Sequence, residues 1–276
     1  MDNKLAIIMS GGGMKASFNA GVLLALLEKY KITDPYLLIC SSGSAGTGAY
    51  YVSRQYDSIK SIWEKILPSK TILNQWRLWK ILDIDYLIDE VFKKQNPLDE
   101  EKVYQSKINF LISSFNQETG QIMYFDNHNN MNVFESMRAS KAIPMIYKLV
   151  PSVKVKQSLY FDPVISFRAD IHLKKAVEFG ANKIIMISNT PPNGYLFENI
   201  CFRIWLLFQK CRKPYNKTEK ELFNYKISQN IKTLKISPKK KLTIGFIDND
   251  KELIQAAIKQ AYQETMTNKE LQCFLK

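Results

Sequence analysis

Tyr36-Leu-Leu-Ile-Cys-Ser-Ser-Gly-Ser-Ala-Gly46 is the stretch on which the reading of the fold turns. Its apolar run, Tyr36 to Cys40, has the length and continuity of a strand buried on both faces. Ser42 to Gly46 then reads as a tight turn, and a helix is expected from about Ala45 to Arg54. Upstream, the same grammar has already occurred once. Leu5-Ala-Ile-Ile-Met9 is a short apolar strand, Ser10-Gly-Gly-Gly-Met-Lys15 is a loop, and Ser17 to Tyr30 is a helix with Phe18, Val22 and Leu26 along one face. Strand, loop, helix, strand, turn, helix is the opening of a parallel α/β sheet.

Further along, Ser58 to Ile66 and Ile84 to Phe92 have helical spacing, and Leu98-Asp-Glu-Glu101 looks like a helix start. Ile108 to Phe115 and Gln121 to Phe125 flank Glu118-Thr-Gly120 as a hairpin. Asn132 to Ser140 is a helix stopped before Pro144. Ser158 to Phe161 is a strand, Asp170 to Phe179 a helix closed by Gly180, and Lys183 to Ser188 another strand. After Pro191-Pro192, helices are expected over about Phe197 to Lys210 and Glu219 to Ile231, a strand over Leu242 to Ile247, and a closing helix over Lys251 to Glu264. That late strand needs a sheet to join. One domain over 1–276 is therefore expected, with a catalytic core at about 1–190 and a helical, basic C-terminal part at about 191–276.

The 276 residues are 46% hydrophobic and 24% charged, ordinary for a globular chain. The formal charge of +13 is not ordinary, and predicts attraction to polyanions. Much of it lies between Lys210 and Lys241, opposed there by Glu219 and Glu221. No nucleic-acid motif accompanies the charge, so no nucleic-acid partner is expected. Cys40, Cys201, Cys211 and Cys273 form no CxxC pair and no disulfide framework, which fits a reducing compartment. Neither a signal peptide nor a transmembrane run is read, so a cytoplasmic protein is expected.

Ser42-Gly-Ser-Ala-Gly46 has the setting of a nucleophile elbow, with Ser44 as the nucleophile. An elbow wants small residues two before and two after the nucleophile, here Ser42 and Gly46, with Gly43 and Ala45 between. The loop Gly11 to Gly13 could turn backbone N–H groups inward as an anion-binding nest. Its spacing fits no nucleotide fingerprint. Paired with a serine on the neighbouring strand, it suits an oxyanion hole better, with Lys15 adding positive charge. A serine needs a base. The two histidines are poorly placed: His128 lies in a polar loop and His172 at a helix start beside Asp170. Asp162, ending a strand before Pro163, is the better candidate.

Four pieces now occur in a known order: Ser10-Gly-Gly-Gly-Met-Lys15, Ser42-Gly-Ser-Ala-Gly46, Ala139-Ser-Lys-Ala-Ile-Pro144 and Tyr160-Phe-Asp162. Together they resemble the patatin-like phospholipases, whose pattern runs G-G-G-x-[RK], G-x-S-x-G, A-S-x-A-x-P and D-G-[GA]. Leu82 to Leu87, Asn96-Pro-Leu98, the Glu118 hairpin, Lys174 to Ala181, Arg212 to Asn216 and Ile236 to Tyr262 resemble a bacterial subgroup of that family. The resemblance implies a three-layer α/β/α patatin-like fold with a mainly parallel central sheet. It implies a Ser–Asp dyad of Ser44 and Asp162, an oxyanion hole at Gly12 and Gly13 beside Lys15, and hydrolysis of a phospholipid or other lipid ester through an acyl-enzyme. No cofactor and no metal are implied. Two departures stand out: Ser42 replaces the first elbow glycine, and Asp162 is followed by Pro163-Val164 instead of glycines. The alternative is a catalytically impaired relative acting as a lipid- or membrane-binding regulatory module. Trp76 and Trp79 are the expected lid or contact residues for an anionic membrane surface, met peripherally on its inner face. Phe197 to Phe208 is read as a core helix covering the sheet.

Overall fold

The apolar runs become the middle of one sheet. The computed structural model describes residues 3–77, 79–129, 131–149, 151–191 and 200–276. In chain order the elements are β1 (Leu5–Met9), α1 (Ser17–Tyr30), β2 (Leu37–Ser41), α2 (Gly43–Val52) and α3 (Tyr56–Ser61), the last running on as a π-helical stretch, Ile62–Ile66. Then follow α4 (Ile84–Tyr86), continued by a π-helical stretch over Leu87–Gln95, α5 (Glu100–Tyr104), β3 (Asn109–Asn116), β4 (Ile122–Asp126) and α6 (Val133–Lys141). The chain ends with β5 (Val153–Val155), β6 (Ser158–Phe161), α7 (Leu173–Glu178), β7 (Lys183–Ile187), α8 (Ile200–Leu207), α9 (Arg212–Phe223), β8 (Lys232–Ile236), α10 (Lys251–Met266) and α11 (Lys269–Leu275).

The sheet order is β5-β6-β3-β2-β1-β7-β8, with β4 pairing β3 beside this path. The five strands from β3 to β8 in that order are parallel, Ile8 lying opposite both Ile39 and Met186. β4, β5 and β6 run antiparallel to their neighbours. Side chains alternate between two apolar layers, as the strand period requires. Ile7, Met9, Leu38 and Cys40 enter the large core with α1, α2 and α10. Ala6, Ile8, Leu37 and Ile39 enter a smaller one with α7. Phe115 and Phe161 belong to a third cluster with Phe202, Trp205 and Tyr215 of α8 and α9. The architecture is three-layer α/β/α around a mostly parallel sheet.

Several expectations are corrected. Leu242 to Ile247 is no strand: Leu242 and Ile244 are buried, but the segment turns back so that Met14 N–H donates to Phe246 O at 3.0 Å. The strand there is β8, hidden in the sequence because Lys232, Thr233 and Lys235 are exposed edge positions. Lysines on an edge strand blunt further pairing. The basic helix begins at Arg212 and ends at Phe223 instead of spanning Glu219 to Ile231, with Pro214 in its first turn. A 3-10 turn, Ala169–His172, precedes α7 where one helix was expected. β5 was not anticipated. Of the helix expected from Phe197, residues 197–199 lie outside the described residues. In α8, Trp205 and Leu206 are buried while Ile204 and Leu207 are exposed.

Candidate active site

β2 ends at Ser41, and the backbone bends so sharply at Ser42 that its φ is 50° and its ψ −120°. A non-glycine residue held there costs on the order of 1–3 kcal/mol, and persists where its surroundings over-determine it. They do. Ser42 N–H donates to Ser140 Oγ at 2.8 Å, Ala45 N–H donates to Ser42 O at 3.1 Å, and the Lys141 ammonium donates to the same carbonyl at 2.6 Å. α2 starts at the next residue, directing its N-terminal dipole at Ser42. Ser44 lies inside the first turn of α2. Its hydroxyl donates to Ser10 O at 2.8 Å and accepts from Asn19 Nδ2 at 2.9 Å, and it is fully buried.

The strained residue is thus Ser42, not Ser44. Centred on Ser42, the positions two before and two after are Cys40 and Ser44, where elbows of this kind favour glycine. Both substitutions are accommodated. A Cβ at Gly48 would collide with the Cys40 sulfur, so glycine at 48 makes the room. The Ser44 hydroxyl is absorbed by Ser10 and Asn19.

Asp162 follows β6, and its N–H donates to Ala142 O at 3.1 Å. The Ala139 to Pro144 stretch therefore braces both the elbow and the carboxylate. The Ser42 side chain neighbours the Asp162 carboxylate and favours its charged form. Burial pushes its pKa up to about 7, against the Ser42 side chain and the Lys141 ammonium, which favour the charged form. Its Oδ2 is buried without a partner. Among the described residues no hydrogen bond of ordinary geometry joins Asp162 to either Ser44 or Ser42. Pro163 and Val164 enter a 3-10 turn, and Ser166 O at its end accepts from Gly11 N–H at 2.7 Å. The turn after the carboxylate thereby docks onto the glycine loop.

In that loop Gly12 has φ 136° and Gly13 φ 55°, conformations that suit glycine. Gly11 and Met14 spend their N–H groups on Ser166 O and Phe246 O. Those of Gly12 and Gly13 are committed to no acceptor among the described residues. Asn189 Nδ2 holds the loop through Gly11 O at 2.6 Å, and Lys15 N–H closes it onto Gly12 O at 3.1 Å. Loop and elbow touch: a Cβ on Gly43 would stand 2.6 Å from Gly13 O.

Ser42, Gly43 and Gly13 line a narrow cavity. Tyr50, Ile59, Ile62, Trp63, Leu67 and Phe92 make much of its wall, which is almost wholly apolar, and Gly46 and Lys141 face it near the elbow. Ser44 and Asp162 do not line it.

Neither histidine joins the site. His172 is buried, with Nε2 2.9 Å from Ser41 Oγ and Nδ1 2.8 Å from Tyr124 OH. Burial drives its pKa down to about 3, so it stays neutral. His128 is exposed, with its ring against Ser106 O. The sequence reading missed Asn19, Ser140 and Lys141. The last two sit in a stretch whose pattern was visible but whose task is tertiary.

Residues 7–167 match the family described as patatin-like phospholipase. Among curated proteins, the chain is similar to the uncharacterized protein YjjU of Escherichia coli (strain K12), 25% identical over 199 residues. That match covers 70% of this chain and 54% of YjjU, so the chain spans about half the length of that relative. Among solved structures, VipD from Legionella pneumophila superposes with a TM-score of 0.57 at 13% identity, over 99% of this chain and 67% of that one. The type III effector protein ExoU gives a TM-score of 0.41 at 14% identity, over 99% and 53%. The likeness to VipD is one of fold.

Proposed function

The chain belongs to the patatin-like phospholipase family, and from that premise we propose that it is a serine lipid acyl-hydrolase with Ser42 as nucleophile and Asp162 as base. Membership supports lipid hydrolase activity. The observation that carries the finer assignment is the coincidence at Ser42 of a strained elbow backbone, a carboxylate neighbour and an apolar cavity. Asp162 takes the Ser42 proton as Oγ attacks the ester carbonyl. The oxyanion is met by the N–H groups of Gly12 and Gly13, aided by the N-terminus of α2 and by Lys15 in the same loop. Protonated Asp162 returns its proton to the leaving alcohol, leaving an acyl-enzyme on Ser42. Water, deprotonated by Asp162, then releases a fatty acid. The acyl chain lies in the cavity walled by Ile59, Ile62, Trp63 and Leu67. Hydrolysis of a p-nitrophenyl acyl series by the wild type is the direct test. Lipid binding with no turnover by folded protein would favour a catalytically silent lipid-binding module instead.

Gly12 offers a test of the oxyanion loop. An alanine there must hold φ 136° and would set its Cβ 2.5 Å from Asn189 Nδ2. The loop must shift, and losing one donor is worth roughly 10²-fold or more in kcat. Gly12→Ala is expected to lower kcat on that order with KM little changed, as steady-state kinetics would read.

The substrate class in this reading is a phospholipid or other lipid ester, met at an anionic lipid surface that suits the charge of +13. Trp76 and Trp79 are 91% and 76% exposed. They stand between Leu73 and Leu82, both of which line the cavity. Gln75 and Asn249 tie this loop to the 247–249 segment and Leu73, through Ile247 O at 2.9 Å and Leu73 O at 3.0 Å. Among the described residues no helix is long and apolar enough to cross a membrane, and the contact in this reading is a peripheral one. Replacing both tryptophans by alanine is expected to cut hydrolysis of anionic vesicles about tenfold, the equivalent of ~1.4 kcal/mol of binding. Turnover of a short soluble ester should be unchanged. Equal loss on both substrates would refute a surface role.

A further inference from the structure

Lys141 fills the first open position of the Ala139 to Pro144 stretch and is 5% exposed. Taking an ammonium out of water costs several kcal/mol unless the site compensates it, so its place asks for a reason. Its Nζ donates to Ser42 O at 2.6 Å and approaches Gly43 O at 3.5 Å, two carbonyls of the strained elbow. It also faces the cavity beside the elbow.

The groups around it come from three elements. Asp162 at the end of β6 and Cys40 on β2 lie near enough to act on its charge. Asp162 in turn faces Ser42, and Tyr215 from α9. Burial pushes the Cys40 thiol and the Tyr215 phenol upward, so both stay neutral. The charges in this pocket are therefore those of Lys141 and Asp162.

We propose that Lys141 is a positioning residue of the hydrolase site, locking the strained Ser42 backbone and favouring the charged form of the Asp162 carboxylate against its burial, so that it can accept the serine proton. This rests on the Ser42–Asp162 assignment. The physical case has two parts. A cation beside a carboxylate favours its charged form, and the effect is strong where water is excluded. A donor on Ser42 O satisfies a carbonyl that the bend leaves to few partners, and keeps the hydroxyl aimed. Burial also lowers the pKa of Lys141 itself to about 8, against the pull of Asp162 and Cys40, so below that pH the cation is in place.

Three variants separate charge from clamp. Lys141→Gln keeps an N–H for Ser42 O but loses the charge, Lys141→Met loses both, and Lys141→Arg keeps both. The readout is the pH dependence of serine labelling by a fluorophosphonate, with kcat and KM for a p-nitrophenyl ester beside it. In Lys141→Gln the acid limb is expected to move up by about one pH unit, with a melting temperature near that of the wild type. KM should stay within about threefold while kcat falls. Lys141→Met should move the limb as far and lose stability too, and Lys141→Arg should restore the wild-type limb. Ser42→Ala is the control. If it still labels at the wild-type rate, the Ser42 assignment fails and takes the proposal with it. If it blocks labelling but the Gln and wild-type limbs coincide, the role of Lys141 alone is overturned.

Discussion

Ser42→Ala is expected to abolish ester hydrolysis, by roughly 10⁴-fold or more in kcat, because the group removed is the one that bonds to substrate. Ser44→Ala is expected to remain active within about tenfold. The contrast follows from what each hydroxyl touches. Ser42 sits on the strained bend, beside the Asp162 carboxylate and at the mouth of the apolar cavity. Ser44 is turned the other way, into Ser10 O and Asn19. Losing its hydroxyl removes one hydrogen bond to Ser10 O, while Asn19 Nδ2 keeps its own bond to that carbonyl at 2.9 Å. The stability cost should be about 1 kcal/mol. Kinetics with a p-nitrophenyl ester, and mass mapping of a fluorophosphonate adduct, would decide between the serines. A dead but fully folded Ser44→Ala beside an active Ser42→Ala would reverse the assignment.

With Ser42 proposed as the nucleophile, the local pattern centres two residues later, and the reason is what such a pattern can register. Gly43-Ser-Ala-Gly46 carries the glycines an elbow wants, so pattern alone centres on Ser44. The geometry that makes a bend tolerable is tertiary. Gly48 makes room for Cys40, while Ser140 and Lys141 arrive from α6 about a hundred residues later. The strand end misleads as well. β2 runs through Ser41, whose hydroxyl lies 2.5 Å from that of Ser113 and 2.9 Å from His172 Nε2. A buried polar cluster of this kind looks, in sequence, like the beginning of a loop. By contrast β1, β2, β7, α1 and α10 were legible, because long apolar runs and one-sided helices carry their own signal. β8 was not, since an edge strand dressed in lysine resembles a basic linker. What Asp162 meets depends on β6 returning beside β3, with Phe115 opposite Phe161, and no local spacing encodes that.

Asp162→Asn is expected to cost roughly 10³–10⁴-fold in kcat without unfolding the protein. The amide keeps the shape of the carboxylate beside the Ser42 side chain, but it cannot take a proton. The pH profile supplies the second half of the argument. A base must be deprotonated to work, and burial holds the Asp162 pKa up to about 7. Wild-type kcat/KM should therefore fall about tenfold per pH unit below that point and level off above it, whereas the residual rate of Asp162→Asn should not follow this limb. Stability moves the opposite way. The folded pKa lies above the ordinary carboxylate value of 3.8, so between the two the native state holds the proton more tightly than the unfolded chain. Wild-type stability from this group is thus present at low pH and lost as pH rises toward 7. Asparagine carries no such penalty. The melting temperature of Asp162→Asn should match the wild type in acid and exceed it above neutrality, while its activity is nearly gone. A variant that loses activity only in step with its fold would make Asp162 a structural residue, and one that keeps wild-type kcat with the acid limb in place would remove it from the chemistry.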